Sequence, residues 1–215
     1  MTAIWGPMGW LTLHSISVAY PESPTSADRE ILNVFMSKFA ECITCPSCKS
    51  HFTGMFAKYR QIHPEWANSR YDLFLAVCRM HNTVNRRLDK PLQKTVSECL
   101  TALKLATRDT PCPAFRQRYI NHVIRNWAAF QSGEGMIMVS AAKEMGKIND
   151  QYWNPRNVEF GSLEFPEANV LEFVPEDRER LRVGPNIPTV AHLTSGELPK
   201  VGFKIQGGRL RLGGR

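Results

Sequence analysis

Residues 42–48 read Cys42-Ile43-Thr44-Cys45-Pro46-Ser47-Cys48, three cysteines at successive spacings of three. Pro46 suits the first position of a helix, so Cys45 and Cys48 form a CxxC pair at a helix start. Unpaired backbone N–H groups and the positive end of the helix dipole favour a thiolate there. A thiolate is the nucleophile of disulfide exchange, which makes this a chemically plausible redox pair. In a second cluster, Cys78, His81 and Asn85 recur at successive helical turns, with Asn82 beside them. Polar groups on such an apolar face either bond to one another internally or meet a flat polar ligand. Two further chemistries stay open on spacing alone. Cys45-x-x-Cys48 with Cys78-x-x-His81 could close a tetrahedral zinc site, and Cys-Pro-Ser-Cys looks like a glutaredoxin-type motif, although its flanks are helical with no βαβ pattern.

The elements that must position these residues are helices with clear punctuation. Trp10, Leu13, His14, Ser17 and Val18 share one face of a helix ending near Tyr20-Pro21. Thr25 with Asp28 caps a second helix through Ile31, Leu32, Phe35, Phe39 and Cys42. A third runs from Cys45 to His63-Pro64, and a fourth is capped by Ser69 with Asp72 and reaches Lys90-Pro91. A fifth stretch covers about Leu92 to Thr107, and Ala114 to Phe130 and Met136 to Ile148 also read as helical. The expected fold is all-α: a four-helix bundle plus a short fifth helix, with a partly helical and extended C-terminal region. The expected divisions are 1–108, a helical extension 109–150, and a proline-rich extended arm 151–215 with a basic Gly-rich end.

Six cysteines in 215 residues are too few for a disulfide-scaffold mini-protein. No apolar run reaches the roughly 18 residues of a membrane span. Residues 1–28 contain no Lys or Arg, so neither a secretory signal nor an Arg-rich transit peptide is read there, and a cytoplasmic setting is expected. The net charge of +7 divides as +4 over residues 1–110 (13 basic, 9 acidic) and +3 over 111–215 (14 basic, 11 acidic). That even spread argues against nucleic acid as the main partner. Only the last sixteen residues are basic without acids, and they read as a solvated disordered tail.

Taken together, the motifs resemble the Erv/ALR flavin-dependent sulfhydryl oxidases. The matching residues are Trp10-x-x-Leu13-His14, Tyr20-Pro21, Cys45-x-x-Cys48 with His51-Phe52, Ser69-Arg70, and Cys78-x-x-His81-Asn82-x-Val84-Asn85 followed by Leu88, Lys90 and Pro91. They occur in the family's order over residues 5 to about 100. The resemblance implies a helical bundle that holds FAD non-covalently, as a homodimer, and forms disulfides in protein thiol substrates while oxygen becomes hydrogen peroxide. It makes Cys48 the cysteine against the flavin and Cys45 the outer one. It assigns cofactor contacts to Trp10, His14, Cys48, His51, Cys78, His81, Asn82, Val84, Asn85 and Lys90, with no metal.

The sequence departs from the family pattern at several positions. The usual disulfide partner of the Cys78 position falls on Thr95, so a Cys78–Cys99 bridge would need the fifth helix shifted by a turn. The aromatic that commonly covers adenine falls near Ala102, and an Arg common after the first-helix glycine is Pro7. Cys112 and Cys42 are the candidate shuttle thiols, Cys42 reading rather as a core bystander. Compact members encoded by large cytoplasmic DNA viruses suggest a host-cytoplasm or virion setting and an assembly partner for the C-terminal region. The rival readings are a structural or virion-assembly protein that keeps the fold, and a zinc-braced helical binding module.

Overall fold

The computed structural model describes residues 2–156, 158, 160–175, 203–206 and 209–212. Among the described residues seven α-helices follow in order: α1 Thr2–Ala19, α2 Ser26–Glu41, α3 Pro46–Ile62, α4 Arg70–Arg87, α5 Val96–Ala106, α6 Cys112–Ala128 and α7 Gly133–Ile148. A π-helical turn, Asn149–Trp153, and a 3-10 turn, Phe160–Ser162, come after them. The chain divides into two compact units, Met1–Glu176 and Asp177–Arg215.

Local chemistry sets the helix starts. Thr25 and Asp28 complete a capping box on α2, and the hydroxyls of Ser69, Thr95 and Ser132 accept from Asp72, Glu98 and Gly135 amides at the starts of α4, α5 and α7. Several starts differ from expectation, α6 beginning at Cys112 rather than Ala114 and α7 at Gly133 rather than Met136. α1 begins at Thr2 rather than near Trp10, and α5 begins at Val96 rather than near Leu92, because Thr95 supplies its cap. α4 closes with Asp89 at φ 52°, in the left-handed region. There the Asp89 amide donates to Arg86 O at 3.3 Å and the Lys90 amide to Asn85 O at 2.9 Å, satisfying carbonyls the helix end leaves open.

α1 packs on α4, α5 and α6, α2 on α3 and α7, and α6 on α7. The main core joins Leu13 and Ile16 of α1, Phe35 and Phe39 of α2, Phe52 and Phe56 of α3, Val77 of α4, Tyr119 and Val123 of α6, and Met145 and Trp153 beyond. The residues expected as a helical extension therefore share one core with the bundle. Trp127 Nε1 donates to Cys42 O at 2.8 Å, Tyr119 stacks on Phe39 at 5.0 Å, and the Tyr152 hydroxyl donates to Asp28 at 2.6 Å. Arg70 Nε donates to Tyr20 O at 2.6 Å, tying the start of α4 to the end of α1.

Beyond the π turn the first unit continues as an extended strap across α4 and α5. Leu163 and Val170 are buried in a second apolar cluster with Val18, Phe74, Val96, Leu100 and Leu103. The Val170 amide donates to Lys94 O at 3.0 Å and the Val96 amide to Ala168 O at 3.1 Å, around an isolated antiparallel bridge between Thr95 and Asn169. Glu172 pairs with Arg79 at 2.6 Å and His63 at 3.0 Å.

In the second unit, Phe203–Gln206 (β1) pairs antiparallel with Arg209–Leu212 (β2), Phe203 opposite Leu212. Part of the end expected as a disordered tail is thus a two-stranded ladder. Its physical basis is the alternation of apolar and polar residues on both sides of Gly207-Gly208. The remainder of that basic end, including Lys200 and Arg215, lies outside the described residues.

Candidate functional site

α3 opens at Pro46 with Cys45 as its N-cap, and Cys45 and Cys48 are joined as a disulfide with Cα atoms 5.2 Å apart. No side chain caps this helix and no acid sits in its first turn. Its free amides and dipole therefore bear on Cys48 in the first turn and favour negative charge on that sulfur. The two cysteines have different surroundings. Cys48 lines a cavity of about 360 Å³, whereas Cys45 is half-buried outside its lining, with the Ser47 hydroxyl 3.3 Å from its sulfur.

Helices α1 and α4 supply the cavity's polar wall. Trp10 and His81 stack with ring centroids 4.4 Å apart and planes 10° apart, and Trp10 also meets the edge of Phe52 at 6.1 Å. His14 Nε2 and His81 Nδ1 share a hydrogen bond at 3.1 Å. Burial holds His14 well below the usual imidazole range, with His81 adding to the effect. Burial, helped by Lys90, brings His81 down to about 4. Both rings are therefore neutral at physiological pH. His14 Nδ1 is buried and has no hydrogen-bond partner among the described residues.

Eight of the ten expected cofactor contacts line this cavity: Trp10, His14, Cys48, His51, His81, Val84, Asn85 and Lys90. Cys78 and Asn82 do not. Asn82 is buried and spends its amide on the backbone: Nδ2 donates to Gln93 O at 2.7 Å and Val170 O at 2.9 Å, while Oδ1 accepts from the Gln93 amide at 3.2 Å. It fixes the loop after α4, and the strap, behind the wall. Cys78 lies in the second apolar cluster, its thiol hydrogen-bonded to that of Cys99 and pushed up by burial. The turn-shifted pair is thus adjacent, as two free thiols, with Cys99 also lining the cavity.

Sequence reasoning missed the cavity walls given by Trp5, Leu11, Phe52, Leu88, Gln93 and Leu103. Their apolar members have the periodicity of core residues, so spacing carries no signal that separates wall from core. Gln93 and Leu103 lie beyond the end of α4, in the following loop and in α5, and reach the cavity through tertiary packing.

The other cysteine chemistries fare differently. Cys42 is buried, its thiol donates to Met138 O at 3.6 Å, and burial pushes it up to about 12. Cys112 is half-buried and also raised by burial. Neither candidate shuttle lines the cavity. The zinc arrangement loses its donors, because Cys45 bonds to Cys48 and Cys78 faces Cys99. Among the described residues, no three Cys, His, Asp or Glu side chains gather as a metal site. No described helix is long and apolar enough to cross a membrane.

Comparison with known proteins gives a consistent picture. The chain is 31% identical over 99 residues to the FAD-linked sulfhydryl oxidase ERV2 of Saccharomyces cerevisiae, covering 46% of each chain. It is 32% identical over 87 residues to the mitochondrial FAD-linked sulfhydryl oxidase erv1 of Schizosaccharomyces pombe, covering 40% of this chain and 47% of that one. Over 88 residues it is 31% identical to protein 096R of Invertebrate iridescent virus 3, provisionally named a FAD-linked sulfhydryl oxidase, covering 41% of this chain and 58% of that one. The chain thus spans about half the length of the curated relatives it matches. The family model described as Erv1 / Alr matches residues 7–123, which takes in both helices of the polar wall, the CxxC disulfide and most of α6. On that match over more than half of its residues, the chain belongs to the Erv1/Alr family.

Proposed function

We propose that this protein is an FAD-dependent sulfhydryl oxidase that forms disulfide bonds in protein substrates. The observation that carries the reading is the position of Cys48, on the wall of a cavity bounded by the flat Trp10–His81 stack, while Cys45 lies outside that lining. The donor set suits a flavin: neutral imidazoles and a stacked indole for a planar ring system, an unpartnered His14 Nδ1, and Lys90 at the rim for an anionic portion. Trp10, His14, His51, His81, Val84, Asn85 and Lys90 would hold the cofactor. Cys78 and Asn82 would support it from behind.

The chain's own chemistry runs through the disulfide. A substrate thiolate attacks Cys45 Sγ, forming a mixed disulfide and breaking the Cys45–Cys48 bond. The electron pair of that bond stays on Cys48 as a thiolate, which the amides at the start of α3 stabilise. A second substrate thiolate then attacks the substrate sulfur of the mixed disulfide, releasing the substrate disulfide and leaving Cys45 reduced. FAD, when bound, supplies a two-electron acceptor beside Cys48 that oxygen can reoxidise with release of hydrogen peroxide. Burial keeps Cys42 and Cys112 protonated at neutral pH, which favours direct attack by substrate on Cys45 over delivery from either.

Two finer points belong to this reading. Adjacent Cys78 and Cys99 are poised to form the disulfide that braces α4 against α5, in place of a bridge at the Thr95 position. The iridescent-virus relatives favour a viral protein; work in the cytoplasm or virion, as a homodimer, follows only from the family resemblance.

The test is the visible absorption spectrum of the purified protein together with oxygen uptake on adding dithiothreitol. The wild type should be yellow and consume oxygen. Cys48→Ser should stay yellow and lose at least a hundredfold in rate. A colourless wild type, or undiminished uptake by the variant, would refute the assignment.

A further inference from the structure

A second cavity in the first unit, about 340 Å³, shares no lining residue with the first. Its polar side centres on Arg116, which is 2% exposed. Nε donates to Asn149 Oδ1 at 2.7 Å and Nη2 to Asn154 Oδ1 at 3.0 Å, while Nη1 has a longer contact, 3.4 Å, with Ser15 Oγ. Every one of these acceptors is neutral.

Among the described residues, no other group on the cavity wall cancels that charge. Asp150 stands one step out, accepting from the amides of Asn149 at 3.3 Å and Asn154 at 3.1 Å. The Cys112 thiol is raised by burial and is uncharged at neutral pH. Arg156, the second cation of the lining, is engaged with Asp28 at 3.6 Å, with Tyr152 O at 2.8 Å and with the Tyr152 ring at 3.6 Å. The start of α6 carries no acid and no side-chain cap, so its dipole adds positive potential. Among the described residues, one buried unit of positive charge is left over. Such a charge is costly to keep from water without a counter-ion. The two asparagines meanwhile hold the guanidinium plane fixed at the wall. The rest of the lining is mixed, with Val18, Val158 and Phe160 giving it an apolar part beside Ser15 and Thr107.

We propose that this cavity binds a small organic monocarboxylate with a short apolar body, its carboxylate seated on the Arg116 guanidinium. A single uncompensated cation matches one negative charge, and the planar fork suits a carboxylate. The volume lies in the range of small-molecule sites, and the apolar part of the lining takes the body. This site is separate from the CxxC disulfide and does not depend on the oxidase reading.

Cys112 lines the same cavity and reports its occupancy. Alkylation of Cys112 in the full chain by neutral iodoacetamide would be followed by peptide mass spectrometry, with hexanoate, acetate, phosphate or the uncharged hexanamide added. The expected result is saturable protection by hexanoate, at least tenfold in rate, with weaker protection by acetate and phosphate and none by hexanamide. Arg116→Gln should abolish protection by hexanoate, and Arg116→Lys should keep part of it. If Arg116→Gln does not fold, the contrast between hexanoate and hexanamide on wild type decides alone. Equal protection by both would overturn the proposal in favour of a plain apolar hollow. Phosphate protecting as well as hexanoate, or no protection by any of them, would also overturn it.

Discussion

His14 and His81 share a hydrogen bond at 3.1 Å inside a wall that disfavours the charged form of both. An unfolded chain protonates histidine near 6.5, whereas folded His81 titrates at about 4 and His14 well below its ordinary value. Below about pH 6.5 the unfolded state therefore binds more protons than the native state, and stability rises with pH across that window. The stability is complete above 6.5 and is lost as pH falls towards 4, with His81 alone accounting for on the order of 1–2 kcal/mol by pH 5. Urea midpoints at pH 7 and pH 5 check this: wild type should weaken markedly between them, and His81→Gln should weaken less. Spacing had marked both imidazoles. What it could not supply was their contact, which needs α1 and α4 side by side, 67 residues apart in the chain. The same limit applies to Asn82. The family resemblance assigned it a cofactor contact, whereas its amide closes a backbone loop, one of the two outcomes its type and position allowed.

Helix ends were the most legible elements, because a cap is local chemistry. The Thr25–Asp28 and Ser69–Asp72 patterns start α2 and α4 where expected. α5 starts later than expected because the Thr95 hydroxyl caps it, and Cys99 one turn on meets Cys78. The turn from α6 to α7 depends on Gly135. A Cβ there would run into the Phe130 carbonyl oxygen and come within 2.9 Å of the Trp127 carbonyl oxygen, backbone atoms that cannot swing aside. Gly135→Ala should therefore destabilise the protein by roughly 1–3 kcal/mol, the range for forced overpacking. Thermal unfolding measures that cost, and an unchanged midpoint would mean that α7 can shift away from α6 freely.

At the scale of the whole molecule, the strap decides how the bundle is closed. Leu163 and Val170 complete an apolar cluster, the Val174 amide donates to Thr83 Oγ1 at 3.0 Å, and the Phe173 ring lies 3.8 Å from the Arg86 guanidinium. Ending the chain at Asn157 would expose Phe74, Val96 and Leu103 and leave Asn82 Nδ2 without one of its two acceptors. Such a chain should melt at least 5 °C lower than wild type, which corresponds to a loss of about 2 kcal/mol or more in a domain of this size. Ending at Glu176 keeps the whole first unit and should cost little. Calorimetry of the two truncations side by side tests the assignment. The sequence by itself determined the helical class, the caps, the CxxC pair at the start of α3 and the His81–Asn85 face, because each is written in neighbours within a turn or two. Only the tertiary structure decided which residues wall the cavity, that Asn82 braces rather than lines it, that α6 and α7 share the bundle's core, and that Arg116 is buried with only neutral acceptors among the described residues. Those facts are contacts between residues far apart in the chain, and no local period encodes which apolar face meets which.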